Sequence, residues 1–204
     1  MSSKKPTLIV IAGPNGSGKT SITYDILEHE WLNNSIYINP DNVANDMFGD
    51  WNSLDSVLKA ANYCDDLREK CLAEEKSIIF ETVLSSTGKV DFIRKAKEKG
   101  YFIRFFFVST NNPKINASRI ANRVLEGGHD VPITKIISRF GKSLINSLIV
   151  SKFVDRAYFY DNSAEDKEPK LLFRTKNGKI SKKYRKIADW ATPIVENLDM
   201  NNIS

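Results

Sequence analysis

The sequence predicts a single α/β domain over residues 1–204, with three layers and a mostly parallel five-stranded sheet. Short runs rich in β-branched and aromatic residues alternate with longer stretches of helical spacing. Strands separated by helices imply crossover connections, and therefore a parallel sheet covered by helices on both faces. Apolar residues make up 41% of the chain and charged residues 27%, which is the balance of an ordinary globular protein.

The predicted elements alternate in chain order. Apolar runs bounded by polar residues predict strands at 7–12, 35–39, 77–81, 101–108 and 156–160. Helical spacing predicts helices at 17–30, 42–48, 53–75, 88–99, 114–125 and 133–152. In the helix 53–75, seven residues follow helical spacing and are expected to form its apolar face: Leu54, Val57, Leu58, Ala61, Cys64, Leu67 and Leu72.

The C-terminal part is predicted to be a basic hairpin and a helix, over about 167–200. Asn177-Gly178 is a strong signal for a type I′ turn in a hairpin over 171–180. A helix over 183–198 follows, with Pro193 kinking or ending it. Residues 167–186 carry nine Lys or Arg and one acid, a net charge of +8, whereas the other 184 residues carry −3. Solvated lysines explain this patch better than a nucleic-acid site, so nucleic acid is not expected as a partner.

Composition also bears on the compartment. The longest apolar run near the N-terminus, residues 8–12, is too short for a membrane span or a signal-peptide core. In a helix over 53–75, Cys64 and Cys71 lie about 10.5 Å apart along the axis, too far to form a disulfide. Two unpaired thiols are typical of the reducing cytoplasm, so we expect a cytoplasmic protein with no membrane partner.

A phosphate-binding loop follows the first strand. Residues 13–20 match G-x-x-x-x-G-K-[ST] in full, between a predicted strand and a predicted helix. The glycines let successive backbone N–H groups face phosphate oxygens, Lys19 can reach the β and γ phosphates, and the Thr20 hydroxyl can bind Mg²⁺. The expected cofactors are ATP or GTP and Mg²⁺. The expected nucleotide-binding residues are Gly13, Pro14, Asn15, Gly16, Ser17, Gly18, Lys19, Thr20 and Ser21.

Acidic residues follow the next two strands, at the edge where open α/β sheets bind ligands. Asp41 could accept the proton of a substrate hydroxyl as it attacks the γ-phosphorus, or it could cap the helix 42–48. Glu81 and Thr82 end the third strand. Glu81 could hold Mg²⁺ through water, bind the acceptor, or be an exposed acid at a strand end.

Two helices joined by the glycine-containing loop 127–132 are typical of a lid, over about 114–152. Arg123 and Arg139 on these helices could offset charge on the transferred phosphoryl group. Alternatively, Arg123 is a cation at a helix end and Arg139 is a solvated surface residue. Arg119 is a further arginine on the first lid helix, and His129 in the loop is expected to be structural rather than catalytic.

Several motifs together resemble the zeta-toxin-like family of small-molecule kinases. They are AGPNGSGKT (12–20), NPD (39–41), FET (80–82) and RVLEGGHDVP (123–132) followed by SRF (138–140). The resemblance covers about residues 7–163 and implies a P-loop kinase fold. It implies Asp41 as the base, Glu81 and Thr82 in the acceptor pocket, and Arg123 and Arg139 as charge-stabilising residues. In the best-known members the acceptor is UDP-N-acetylglucosamine and an antitoxin inhibits the kinase; here an antitoxin would be a separate chain.

The expected function is ATP- or GTP-dependent phosphorylation of a hydroxyl on a small, nucleotide-linked sugar metabolite. The alternatives are a drug or nucleoside kinase of the chloramphenicol phosphotransferase type, a polynucleotide kinase, and a nucleotide-gated binding module without catalysis. A module that only binds nucleotide does not need a carboxylate beside the γ-phosphate that has no role in holding the metal. Asp41 therefore favours transfer.

Overall fold

The computed structural model describes residues 5–27, 35–48, 53–128, 130–165 and 167–200. Within these residues, seven strands form a mixed sheet that is the middle layer of the domain. They are β1 (Thr7–Ala12), β2 (Ile36–Ile38), β3 (Ile78–Thr82), β4 (Phe102–Ser109), β5 (Arg156–Asp161), β6 (Lys170–Lys176) and β7 (Lys179–Lys183). The order across the sheet is β2-β3-β1-β4-β5-β6-β7.

The five predicted strands are all present and parallel to one another. The predicted hairpin is also present, as β6 and β7, which pair antiparallel and extend the same sheet beyond β5. Its turn residues Asn177 and Gly178 both have positive φ, at 49° and 76°, as a type I′ turn requires. The fold class predicted from the sequence is therefore confirmed, with the hairpin added to one edge of the sheet.

Helices cover both faces of the sheet. They are α1 (Lys19–Leu27), α2 (Pro40–Phe48), α3 (Leu54–Ala73), α4 (Thr87–Glu98), α5 (Pro113–Leu125), α6 (Ile133–Ser151) and α7 (Thr192–Met200). The central strand β1 is buried on both sides because its successive side chains alternate between faces. Ile9 and Ile11 pack with Ile22 and Ile26 of α1. Leu8, Val10 and Ala12 join a larger core on the opposite face, with residues of α3, α4, α6 and α7.

The strand β1 lies between β3 and β4. The connections that follow β1 in the chain first add strands on one side of it and then on the other side. The carboxyl ends of the parallel strands therefore open a crevice at this point, where α/β proteins bind ligands. The loop after β1 and the acidic ends of β2 and β3 all meet at this edge. Among the described residues, no helix has the length and apolar composition needed to cross a membrane.

The structure corrects the prediction for the C-terminal helix in two respects. The predicted helix over 183–198 is wrong in its first half, because β7 extends to Lys183 and a 3₁₀ turn at Asp189–Ala191 precedes α7. Pro193 lies in the first turn of α7, where a fixed φ and a missing N–H are tolerated, so it starts the helix instead of kinking it.

The buried face of α3 also differs from the prediction. Leu54 and Leu58 are 70% and 55% exposed, while Val57 and Ala61 line the cleft described below. The buried residues of α3 are Ser56, Ala60, Cys64, Arg68, Cys71 and Leu72. Cys64 and Cys71 are both free, as predicted. Burial raises the pKa of both thiols, so they behave as packing residues.

Candidate active site

A cleft of about 500 Å³ opens at the carboxyl edge of the parallel strands. The loop between β1 and α1, the ends of β2 and β3, and the lid helices α5 and α6 all contribute to it. Eleven of the predicted nucleotide-binding, acceptor-side and lid residues line this cleft: Asn15, Gly16, Gly18, Lys19, Thr20, Asp41, Glu81, Thr82, Arg119, Arg123 and Arg139. Gly13, Pro14 and Ser17 are buried in the loop beneath it, and Ser21 is exposed on α1.

Two asparagines from distant parts of the chain hold the phosphate-binding loop. Asn116 of α5 donates a hydrogen bond from Nδ2 to the backbone oxygen of Asn15, at 2.7 Å. Asn162, which follows β5, donates from Nδ2 to the backbone oxygen of Ser17, at 2.9 Å. Both side chains are buried. Sequence reasoning missed them, because nothing local marks an asparagine whose partner lies more than a hundred residues away.

Gly18 is required where the loop meets Asn162. Its φ is +91°, and a Cβ at this position would lie 2.2 Å from Nδ2 of Asn162. Such a contact would force the loop or the asparagine to move, and an L-residue at this φ is strained in any case. The loop shape therefore depends on glycine here.

We expect Gly18→Ala to weaken ATP binding at least about tenfold, because the loop N–H groups would no longer converge on the phosphates. Isothermal titration calorimetry with ATP–Mg²⁺ measures this. Gly141→Ala on α6 is the control, since a Cβ there meets nothing within 4 Å and a helical Ala is favoured over Gly by about 1 kcal/mol. Unchanged ATP affinity in Gly18→Ala would contradict the loop assignment.

Lys19 lies where charged groups from three parts of the cleft meet. Its Nζ donates to the backbone oxygens of Gly13 and Pro14, at 3.1 and 3.2 Å. Burial lowers the pKa of Lys19, the nearby carboxylates of Glu81 and Asp41 oppose that shift, and Arg123 adds to it. Both acids and one lid arginine are therefore within electrostatic range of the loop lysine.

Glu81 is held by a chain of hydrogen bonds. Its Oε1 accepts from Thr23 Oγ1 at 2.8 Å and from Tyr37 Oη at 2.7 Å, and Asn39 Nδ2 donates to the same Tyr37 oxygen at 3.0 Å. Burial and the neighbouring Glu81 raise the pKa of Tyr37, so the phenol stays protonated and keeps donating. Glu81 is half-buried, so its interpretation as an exposed strand-end acid is wrong. Thr23, Tyr37 and Asn39 were not predicted.

Asp41 lies in the first turn of α2 and does not cap it. The helix begins at Pro40, and the residue before it, Asn39, accepts a hydrogen bond at Oδ1 from the backbone N–H of Asp41, at 2.9 Å. Asn39 is therefore the capping residue, with proline at the first helical position, as is common. The interpretation of Asp41 as a cap is wrong, and its carboxylate is exposed on the cleft.

Thr82 has a local role at the end of β3. Its Oγ1 accepts a hydrogen bond from the backbone N–H of Leu84, at 3.0 Å, and Leu84 has a positive φ of 57°. This turn directs residues 83–86 along the wall of the cleft. Thr82 thus shapes the pocket as well as lining it.

The two helices predicted to form a lid are present as α5 and α6. Arg123 and Arg139 both reach the cleft, Arg123 from the exposed end of α5 and Arg139 from a half-buried position on α6. Arg119 donates from Nη2 to the backbone oxygen of Ala164 at 3.0 Å, which ties α5 to the segment after β5. His129 lies outside the described residues.

Known structures share this fold. A chain of the AvrRxo1-ORF1:AvrRxo1-ORF2 complex matches with a TM-score of 0.68 at 19% identity, over 95% of this chain and 63% of that one. This chain therefore spans slightly less than two thirds of that relative. A chain from the PezAT chromosomal toxin–antitoxin system of Streptococcus pneumoniae matches with a TM-score of 0.59 at 16% identity, over all of this chain and 90% of that one.

Sequence comparison points to the same family. An uncharacterized protein of Haemophilus influenzae is 27% identical over 124 residues, which are 59% of this chain and 83% of that protein. The Zeta toxin family model matches residues 1–163, a range that includes the phosphate-binding loop, Asp41, Glu81 and both lid arginines. With that match over most of its length and with the fold of the PezAT chain, this protein belongs to the Zeta toxin family.

Proposed function

We propose that the protein transfers the γ-phosphoryl group of ATP or GTP to a hydroxyl of a small, nucleotide-linked sugar metabolite. The observation that carries this proposal is the grouping of Lys19, Asp41, Glu81 and the lid arginines Arg123 and Arg139 around one cleft. Phosphoryl transfer needs positioning and charge stabilisation more than covalent chemistry, and these side chains supply both. A relative of the same fold, the AvrRxo1 complex, has been solved with ATP.

Each residue has a distinct part in the proposed reaction. The loop amides and Lys19 bind the β and γ phosphates, and Arg123 and Arg139 offset charge on the transferred group. Asp41 accepts the proton of the attacking hydroxyl. Glu81, whose Oε1 is fixed by Thr23 and Tyr37, orients the acceptor together with Thr82.

The residues present fit a magnesium ion that is held mainly by the nucleotide. Among the described residues, no three His, Cys, Asp or Glu side chains converge as a metal cluster. Mg²⁺ takes oxygen ligands and keeps several waters, so one protein hydroxyl and the substrate phosphates suffice. Thr20 would supply that hydroxyl, Glu81 could act through a bound water, and the ion would neutralise phosphate charge.

The test of this function is product identification. The purified protein is incubated with γ-labelled ATP and a metabolite extract, and the labelled product is identified by mass spectrometry. Nucleotide turnover with and without UDP-N-acetylglucosamine, nucleosides and chloramphenicol then separates the acceptor classes. Nucleotide binding with no labelled product from any acceptor would favour the binding module without catalysis.

We also propose a separate antitoxin chain as a partner and the cytoplasm as the compartment. The likeness to a chain of the PezAT toxin–antitoxin system supports the first. Two free buried cysteines agree with the second. Nothing in the proposed chemistry requires nucleic acid or a membrane.

The lid arginines yield a kinetic prediction. We expect Arg123→Ala and Arg139→Ala each to lower kcat at least about tenfold while changing ATP affinity much less, because charge on the transferred group is greatest in the transition state. Steady-state kinetics and calorimetry measure the two effects. Lys142→Ala, an exposed cation on the same helix as Arg139, should keep full activity. Full kcat in either arginine variant would contradict a role of that arginine in transfer. It would favour the alternative, a helix-end cation for Arg123 or a solvated surface residue for Arg139.

A further inference from the structure

A second group of cations lines the cleft at the start of α4. Ser85, Ser86 and Lys89 lie at the junction of β3 and α4, and Arg68 comes from α3; all four line the cleft. We call these four residues the cationic subsite. The charge of Asp41 shifts the pKa of Lys19 in the phosphate-binding loop. It also shifts the pKa of Cys64, as do the charges of Arg68 and Lys89. Asp41 therefore lies within electrostatic range of both the phosphate-binding loop and the region of the subsite.

The cationic subsite holds more positive than negative charge. Arg68 and Lys89 both pair with the same oxygen, Oδ1 of Asp65, whose side chain is 52% exposed to water. Glu69, another acid of α3, is engaged by Lys95 at 2.5 Å. Two cations thus share one solvated carboxylate, which leaves about one positive charge uncompensated beside the cleft.

Arg68 is buried and Lys89 is half-buried. The Arg68 side chain is 3% exposed and its guanidinium lies over the rings of Phe80 and Phe92, at 5.1 and 5.9 Å. Burial and the neighbouring Arg68 lower the pKa of Lys89 to about 8. Burying a charge is costly unless an opposite charge compensates it. A bound anion would supply that compensation.

The start of α4 adds donors at the same place. This helix has 12 residues, and its N-cap Ser86 makes no side-chain capping hydrogen bond. Its first backbone N–H groups and the positive end of its dipole are therefore open to an anion. A strand, a short loop and a helix N-terminus follow one another here, as they do at the main phosphate-binding loop, and Gly88 and Lys89 lie in the first turn of the helix.

We propose that Arg68, Lys89 and the first turn of α4 bind a phosphate group of the acceptor. The acceptor is then a phosphorylated or nucleotide-linked metabolite and not a neutral sugar or a neutral drug. This inference rests on the proposed function only in calling the ligand the acceptor. Phosphate binding at the cationic subsite can be measured without any transfer reaction.

The test titrates inorganic phosphate into the whole protein while AMP-PNP–Mg²⁺ saturates the main loop. Backbone amide shifts of Ser86, Thr87, Gly88 and Lys89 are followed by NMR, with chloride at matched ionic strength as the blank. We expect saturable shifts in the wild type. In Lys89→Met and Arg68→Met, phosphate affinity should fall at least tenfold, whereas Lys70→Met, an exposed lysine of α3, should behave as the wild type.

Arg68 is buried, so thermal melts accompany every variant. If Arg68→Met unfolds, the test uses two other variants. Arg68→Lys keeps the charge, and Lys89→Met changes the half-buried cation of the subsite. Amide shifts that persist unchanged in Lys89→Met, or a wild type in which phosphate shifts no amide of residues 86–89, would overturn the proposal.

The pH dependence is a second readout. Lys89 is charged below its lowered pKa of about 8 and becomes neutral above it, so phosphate affinity should fall as the pH rises from 7.5 to 9. The groups facing it from α3 are Cys64, Asp65, Arg68 and Glu69. Lys89→Arg keeps its charge throughout, and its affinity should stay flat. A wild-type profile as flat as that of Lys89→Arg would contradict the role of Lys89.

The two proposals can fail separately. A protein whose phosphate response depends on Lys89, but which phosphorylates no acceptor, contradicts only the kinase. A protein that transfers phosphate, and whose Lys89→Met variant keeps an unchanged KM for the acceptor, contradicts only the cationic subsite.

Discussion

Replacing Asp41 with Asn is expected to lower phosphoryl transfer by about 10² to 10⁴, the usual contribution of a positioned general base. Asn keeps the size of the side chain and removes its ability to accept a proton at neutral pH. The helix should be unaffected, because Asn39 and not Asp41 caps α2. ATP binding should be nearly unchanged, since the loop after β1 supplies those contacts.

Three measurements separate the outcomes for Asp41→Asn. A thermal melt checks folding, calorimetry measures ATP–Mg²⁺ affinity, and a transfer assay measures kcat. Asp46→Asn, an exposed acid on the same helix, is the matched control and should resemble the wild type. Intact transfer with an intact melt would contradict the assignment of Asp41 as the base. Loss of ATP–Mg²⁺ binding would instead assign Asp41 to the metal and leave the acceptor to Glu81.

Lys19→Ala is expected to reduce transfer at least about a hundredfold and to weaken nucleotide binding. The ammonium is the charge that reaches the β and γ phosphates, and removal of a group that stabilises transition-state charge typically costs this much. Lys19 also donates to the backbone oxygens of Gly13 and Pro14, so part of the effect on binding comes from a less ordered loop. Calorimetry measures the loss of nucleotide binding, and steady-state kinetics measures the loss of transfer.

Lys99→Ala, an exposed lysine at the end of α4, is the control for Lys19→Ala and should retain full activity and affinity. A Lys19→Arg variant adds a second comparison, because it keeps the charge but changes the shape of the donor. Near-normal phosphorylation by Lys19→Ala would rule out this cleft as the nucleotide site.

The sequence alone determined the features that depend on neighbouring residues. The phosphate-binding loop, the five parallel strands, the Asn177-Gly178 turn and the lid helices are all encoded in short segments, through glycine spacing, apolar runs and turn chemistry. The positions of Asp41 and Glu81 at one edge also followed, because parallel strands deliver their carboxyl ends to the same side of a sheet.

Only the tertiary structure decided the contacts between distant segments. Asn116 and Asn162 meet the loop across 101 and 145 residues of sequence, and Tyr37 reaches Glu81 across 44. Arg68 lies on the buried face of α3, whereas Leu54 and Leu58 are exposed, the reverse of what residue type alone indicates. The physical reason is that burial and hydrogen bonding depend on the elements that pack around a side chain, and a local pattern does not specify those neighbours.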